Sequence, residues 1–175
     1  TEVQKVRLNR GVPAPGLAGM TAKLMITSLL KTVRPLSSPV TVRGRVIPGD
    51  QTGASIGFPT ANLDTLPKRA ELEPGVYFGT TKLLEPAGER QYYCLPYFGP
   101  RLIFGEHHHN FEVYLFDFSG SAYGFLLSVS LTHYLRPPVN FQSLTELKTA
   151  LKQDKAVGQS LIAQLSPPTY AQATV

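Results

Sequence analysis

From Val40 to Tyr134 the chain is a succession of short β-prone runs divided by tight turns, and this rhythm constrains the fold more than any other feature. Val40 to Ile47 alternates around Arg43 and Arg45, and Val76 to Leu84 follows the turn Glu73-Pro74-Gly75. Glu85-Pro86-Ala87-Gly88 reads as a hairpin connection into Arg90–Leu95. Leu102–Phe104 is a short run, Phe111–Phe118 a long one, and Ser119-Gly120-Ser121 turns the chain into Tyr123–Tyr134. About six strands joined in this way predict a mainly β fold, a single-domain antiparallel six-stranded β-barrel. One C-terminal α-helix follows. Ser143 is suited to its N-cap with Glu146 three residues on, and Leu144, Leu147, Leu151, Leu161 and Ile162 make an apolar stripe at helical spacing.

A chain of 175 residues is long enough to bury a proper core. Its one cysteine, Cys94, excludes an internal disulfide framework and reads as a small buried hydrophobe in a strand. No apolar run reaches the length of a membrane span. The net charge is +5, but residues 1–40 hold Lys5, Arg7, Arg10, Lys23, Lys31 and Arg34 against Glu2 alone. The excess therefore sits in that segment, and residues 41–175 are formally neutral. That argues against a nucleic-acid binder, whose basic patch belongs on the folded body, even though Tyr92, Tyr93, Tyr97 and Phe98 offer stacking rings. Residues 1–39 form a basic segment read as a linker, with a transit peptide as the other reading; Leu17 to Val33 within it suits an amphipathic helix. Residues 40–165 make the domain, and residues 166–175 a tail after Ser166-Pro167-Pro168.

Gly44 to Leu63 carries the chemistry-bearing pattern: a strand, a loop with Gly49, Gly53 and Gly57 at four-residue spacing, then an extended run ending Pro59-Thr60-Ala61-Asn62. Glycines let a loop turn sharply and bring its N–H groups close to a ligand. Thr60 and Asn62, two apart in an extended segment, share a face and offer neutral oxygens suited to Mg²⁺ beside phosphates. The spacing is neither that of a P-loop nor that of a dinucleotide fingerprint. On spacing alone, a turn followed by an ordinary strand end is the favoured reading.

The full string Ile56-Gly57-Phe58-Pro59-Thr60-Ala61-Asn62-Leu63 resembles the Gly-Phe-Pro-Thr-Ala-Asn-Leu signature of the riboflavin kinase family. The resemblance continues in order through Gly75–Gly79, Phe111–Phe118, Tyr123-Gly124, Leu135-Arg136-Pro137 and Phe141–Leu144, and covers roughly Val40 to Ile162. It implies ATP-dependent phosphorylation of riboflavin to flavin mononucleotide. By the same resemblance Glu112 is the general base, Thr60 and Asn62 hold Mg²⁺ and the phosphates, and the loop of Gly49, Gly53 and Gly57 lies over the nucleotide. Arg136 and Phe141 fall where the family binds its flavin. The residues themselves add that Glu112 is the only acid in an apolar β run, where desolvation raises a carboxyl pKa.

Three stretches depart from the family pattern. Thr52, Ala54 and Ser55 stand between the loop glycines where a cation is usual. Arg101 and Leu102 replace an Asn-Pro pair, and Pro138-Val139-Asn140 follows Leu135-Arg136-Pro137 in place of a Glu and a Lys. Arg101 is a candidate substitute for the missing cation. The alternative function is a non-catalytic flavin- or nucleotide-binding module on the same barrel. His107-His108-His109 reads as an exposed loop, since only His107 and His109 share a face. Riboflavin and ATP are the expected partners, with neither nucleic acid nor membrane, for a monomer in the cytoplasm, or in an organelle if the basic segment is a transit peptide.

Overall fold

Along the strand His109–Leu115, Phe111, Val113 and Leu115 are buried while Asn110, Glu112 and Tyr114 are half-buried. A period of two turns one set of side chains into a closed sheet and the other out of it. The computed structural model describes residues 22–68 and 72–165. Six strands, β1 (Arg34–Ile47), β2 (Ala61–Leu63), β3 (Gly75–Glu85), β4 (Gly88–Pro100), β5 (His109–Leu115) and β6 (Leu126–Arg136), form an antiparallel closed barrel. Their order around the barrel is β1-β2-β5-β4-β3-β6, and β6 pairs back onto β1. Three helices accompany them: α1 (Ala22–Leu30), the single turn α2 (Thr52–Ser55) and α3 (Leu144–Gln164).

Two apolar clusters hold this arrangement. Val42, Tyr77, Leu83, Phe98, Phe111, Val113, Leu127 and Leu131 fill the barrel interior. Burying a side chain such as Phe98 or Phe111 contributes about 1.5–3 kcal/mol. Val76, Phe78, Leu95, Phe116 and Leu135 point out of the barrel and pack under Val157 and Leu161 of α3, with Ile26, Leu29 and Leu30 of α1 against them. At Gly79 a Cβ would lie 1.9 Å from the Ser130 carbonyl oxygen, so β3 and β6 approach as closely as they do only because no side chain intervenes.

The expected barrel and closing helix are both present, with local corrections. Leu102–Phe104 is a 3-10 turn rather than a strand; the positive φ of Gly105, 68°, ends it. The sixth strand is instead Ala61–Leu63, the end of the extended run after the glycine loop. β1 begins at Arg34, not Val40, because Arg34 and Pro35 pair with Tyr134 and His133 before a register shift. β4 runs on to Pro100, and the long run of 111–118 stops pairing at Leu115, two residues before Asp117 at φ 56°. The helix expected over 17–33 is observed as Ala22–Leu30; residues 1–21 and the tail 166–175 lie outside the described residues. The N-cap is as expected: Glu146 N–H donates to Ser143 Oγ at 3.2 Å, and Gln142 N–H donates to Glu146 Oε2 at 2.9 Å. Among the described residues no helix is long and apolar enough to cross a membrane.

Candidate active site

The outward alternation of β5 puts Glu112 on the barrel's outer face, beside α3 and beneath the glycine loop. Asn62 of β2 pairs with it on one side and Tyr97 of β4 on the other. Thr60, two residues before Asn62, donates its hydroxyl to Glu112 Oε2 at 3.0 Å. The Glu112 side chain is 17% exposed. Burial pushes its carboxyl above the ordinary glutamate range; the Thr60 hydroxyl and the Arg101 guanidinium oppose that rise without cancelling it.

Glu112 lies in a cleft of about 980 Å³, open mouth included. One wall carries flat or apolar side chains, among them Phe58, Tyr97, Tyr114, Phe141, Leu147 and Leu151. Tyr97 donates its hydroxyl to the Pro100 carbonyl at 2.6 Å, and burial pushes its pKa up to about 12, so it stays a neutral donor. At the far end Arg136 forms a fork with Asp154, Nε to Oδ1 at 2.8 Å and Nη2 to Oδ2 at 2.7 Å, and its guanidinium carbon lies 5.7 Å from the centre of the Phe141 ring. Burial raises the Asp154 pKa, and Arg136 pulls against that rise. A second depression, lined by Val46, Pro59, Phe118, Ala122 and Tyr123, meets the first at Thr60.

Of the residues singled out from sequence, Gly53, Thr60, Glu112, Arg136 and Phe141 line the main cleft. Gly49 and Asn62 lie beside it and touch each other: a Cβ at Gly49 would stand 2.2 Å from Asn62 Nδ2. Gly53 is packed as tightly, since a Cβ there would stand 2.4 Å from the Phe58 carbonyl oxygen. Gly57, at φ 87°, faces open space. Much of the loop's own hydrogen bonding is turned inward. Thr52 N–H donates to Asp50 Oδ1, Ser55 to Gln51, Ile56 and Phe58 to Gly53, and Gly57 to Ala54. His107 and His108 are exposed in the turn as expected, whereas His109 starts β5 and sets its ring edge-on to Phe98 at 4.9 Å. Among the described residues no cluster of three His, Cys, Asp or Glu side chains could hold a metal ion.

Asp50 and the pairing of Asp154 are not among the features singled out above. Asp50, the one acid in the glycine loop, lines the cleft and binds Arg101. Asp154 continues the spacing of Leu147 and Leu151 on α3, an acid at a stripe position, which is the signature of a buried ion pair.

A family model described as riboflavin kinase matches residues 36–162. The chain is 34% identical over 119 residues to a bifunctional riboflavin kinase/FMN adenylyltransferase of Haemophilus influenzae, covering 68% of this chain and 37% of that protein. Its fold superposes on a solved Streptococcus pneumoniae structure titled a macrolide-efflux protein, with TM-score 0.59, 27% identity and coverage of 79% of this chain and 46% of that one. It also superposes on the riboflavin kinase of Trypanosoma brucei, with TM-score 0.52, 24% identity, and coverage of 73% and 82%; at that identity the likeness speaks for the fold. The curated relatives are longer proteins, of which the matched part makes up between 20% and 41%. The chain belongs to the riboflavin kinase family.

Proposed function

From this membership we propose that the chain transfers the γ-phosphoryl group of ATP to the terminal hydroxyl of the riboflavin ribityl chain, giving flavin mononucleotide and ADP. The observation that carries this reading is the placement of Glu112: a carboxylate with raised pKa, oriented by Thr60, lining an aromatic-walled cleft. Such a cleft suits a flat tricyclic ring, which takes broad apolar contact and a few polar ones. Phe141 and Arg136 stand at the ring's end of the slot. The depression on the other side of Thr60, with Phe118 and Tyr123, is the place left for the nucleotide base. Thr60 then stands between donor and acceptor.

Glu112 takes the hydroxyl proton as the hydroxyl oxygen bonds to the γ-phosphorus, and the bond from that phosphorus to the bridging oxygen breaks to release ADP. A raised pKa brings the base closer to the pH at which it must both be ionised and accept a proton. The donor set fits Mg²⁺. Thr60 donates its hydroxyl hydrogen bond to Glu112 and so keeps its oxygen lone pairs for a cation, and Gly49 leaves the Asn62 amide room that a side chain would fill. Neutral oxygens that share a cation with substrate phosphates are the usual Mg²⁺ arrangement. Thr60 and Asn62 would hold the ion, which would neutralise charge on the phosphates during transfer. Otherwise the protein's part is alignment: β2 and β5 fix Thr60 and Glu112 in adjacent register.

The test is product formation from riboflavin and MgATP, separated by chromatography with fluorescence detection, beside a Glu112→Gln variant. Flavin mononucleotide from the wild-type chain, lost in the variant, is the expected result. Riboflavin binding without turnover would sink the kinase reading and leave a binding module.

A further inference from the structure

Two cations line the main cleft, and the structure treats them differently. Arg136 is spent on Asp154, onto which it forks, and donates to the Pro137 carbonyl at 3.1 Å. Arg101 stands beside Glu112, among three carboxylates from three segments. Its Nε and Nη2 fork onto Glu106 at 2.9 Å each, its Nη1 donates to Asp50 of the glycine loop, and its Nε lies 3.9 Å from Glu112 Oε1. One guanidinium thus faces Asp50, Glu106 and Glu112.

The three partners are not held equally. Glu106 is 25% exposed and takes both oxygens of a parallel fork, the strong geometry for this pair. Asp50 is 43% exposed and meets Arg101 through Nη1 alone, its other oxygen accepting the Thr52 N–H. Exposed single-contact ion pairs add little to stability and exchange readily. Glu106 therefore fixes where the guanidinium is, while the Nη1 edge is held by a partner that is easily replaced. That edge lies on the side of the glycine loop, a few ångströms from the base. A guanidinium left with exchangeable N–H groups, next to the carboxylate that activates the acceptor, is matched to a phosphate dianion. The glycine loop itself offers an acid there and no cation.

We propose that Arg101 is the residue that binds the transferred phosphoryl group in this protein, and that Asp50 holds its Nη1 edge until a phosphate displaces it. The inference rests on the kinase reading and assigns that reaction's cation to the turn after β4 instead of to the glycine loop. It makes Asp50 a competitor of substrate phosphate. It also makes the fork on Glu106 the support that keeps Arg101 in place when Asp50 lets go.

Flavin mononucleotide and riboflavin differ only in the phosphate, so flavin fluorescence titrations of the full chain isolate the contact. Arg101→Gln is expected to weaken flavin mononucleotide binding at least tenfold and raise KM for MgATP comparably, with riboflavin affinity within twofold of the wild type. Arg101→Lys recovers part of both losses. Asp50→Asn, which removes the competitor, binds flavin mononucleotide as tightly as the wild type or tighter. A purely structural tie between loop and turn predicts otherwise: Asp50→Asn would lose as much as Arg101→Gln, and that result overturns the proposal. So does an Arg101→Gln variant that weakens riboflavin and flavin mononucleotide equally, or neither. Thermal melting of each variant separates these outcomes from misfolding. A wild-type chain that makes no flavin mononucleotide would sink the kinase reading itself, whereas active wild type with an indifferent Arg101→Gln sinks only this inference.

Discussion

Thr60 and Glu112 are fifty-two residues apart in sequence and 3.0 Å apart in the fold, hydroxyl to carboxylate, across the short pairing of β2 with β5. That pairing rests on only two residue pairs, Ala61 with Val113 and Asn62 with Glu112. Ala61 and Val113 face the barrel interior, so the core fixes the register. A slip of one residue would turn Glu112 inward and Val113 into the cleft.

Glu112→Gln keeps the shape of the side chain and removes the proposed base. The expected loss in kcat is about 10²-fold or more, the usual share of general base catalysis. Riboflavin affinity changes little, because the slot's aromatic wall is untouched. At neutral pH the variant should be at least as stable as the wild type in urea unfolding. A carboxyl whose folded pKa is raised favours the fold below the unfolded pKa and loses that contribution as pH rises through the folded value; the amide has no such loss.

The pH profile of kcat/KM follows from the same shift. The proposed base must be ionised to act, so the rate is expected to fall with decreasing pH through the raised Glu112 pKa, at a pH above the ordinary glutamate range. Thr60→Val removes the hydrogen bond that favours the ionised form. Its acidic limb should move to still higher pH, and an unmoved limb would mean that another group controls it.

Arg136→Met leaves Asp154, 8% exposed, without its fork. Removing one partner of a buried pair costs about 3–5 kcal/mol. The low end is expected here because Arg136 keeps 24% of its side chain in solvent. Protonating Asp154 relieves the buried charge, so the penalty measured by urea unfolding should shrink towards acid pH. Adding Asp154→Leu should recover most of the stability while flavin affinity stays reduced.

Gly53→Ala places a Cβ 2.4 Å from the Phe58 carbonyl oxygen, a backbone atom that cannot rotate away. The 2.7 Å bond from Phe58 N–H to the Gly53 carbonyl must stretch, and the loop shifts relative to Thr60. A displacement of about 1 Å at a site that works by alignment costs up to about 10²-fold in rate. Steady-state kinetics should show that loss with a melting temperature close to the wild type, since α2 contributes no residue to the core clusters.

Asn62→Ala should raise the Mg²⁺ concentration needed for half-maximal rate about tenfold, the scale seen when a group supporting a metal site is lost. Excess EDTA should abolish turnover in the wild type and leave riboflavin binding, read by fluorescence, in place.

The strands, the closing helix and the family were legible in the sequence because they rest on local signals. Alternation along 111–115, turn residues at 73–75 and 119–121 and the Ser143–Glu146 cap each act within a few residues. The string Phe58 to Leu63 is local too. What the tertiary structure alone decided is who meets whom. Leu102–Phe104 has the composition of a strand, but Gly105 turns it, and no neighbouring edge is free to pair with it once β5 has taken β4. Arg34 and Pro35 have no strand signal of their own and are extended because Tyr134 and His133 of β6 offer them partners. Nothing within a few residues of Arg101 or Asp154 shows how each is paired. Their surroundings, three carboxylates for one and a buried fork for the other, come from segments up to fifty-one residues distant. Short-range sterics and periodicity are written into each stretch of chain; long-range charge pairing depends on barrel closure, which no single stretch contains.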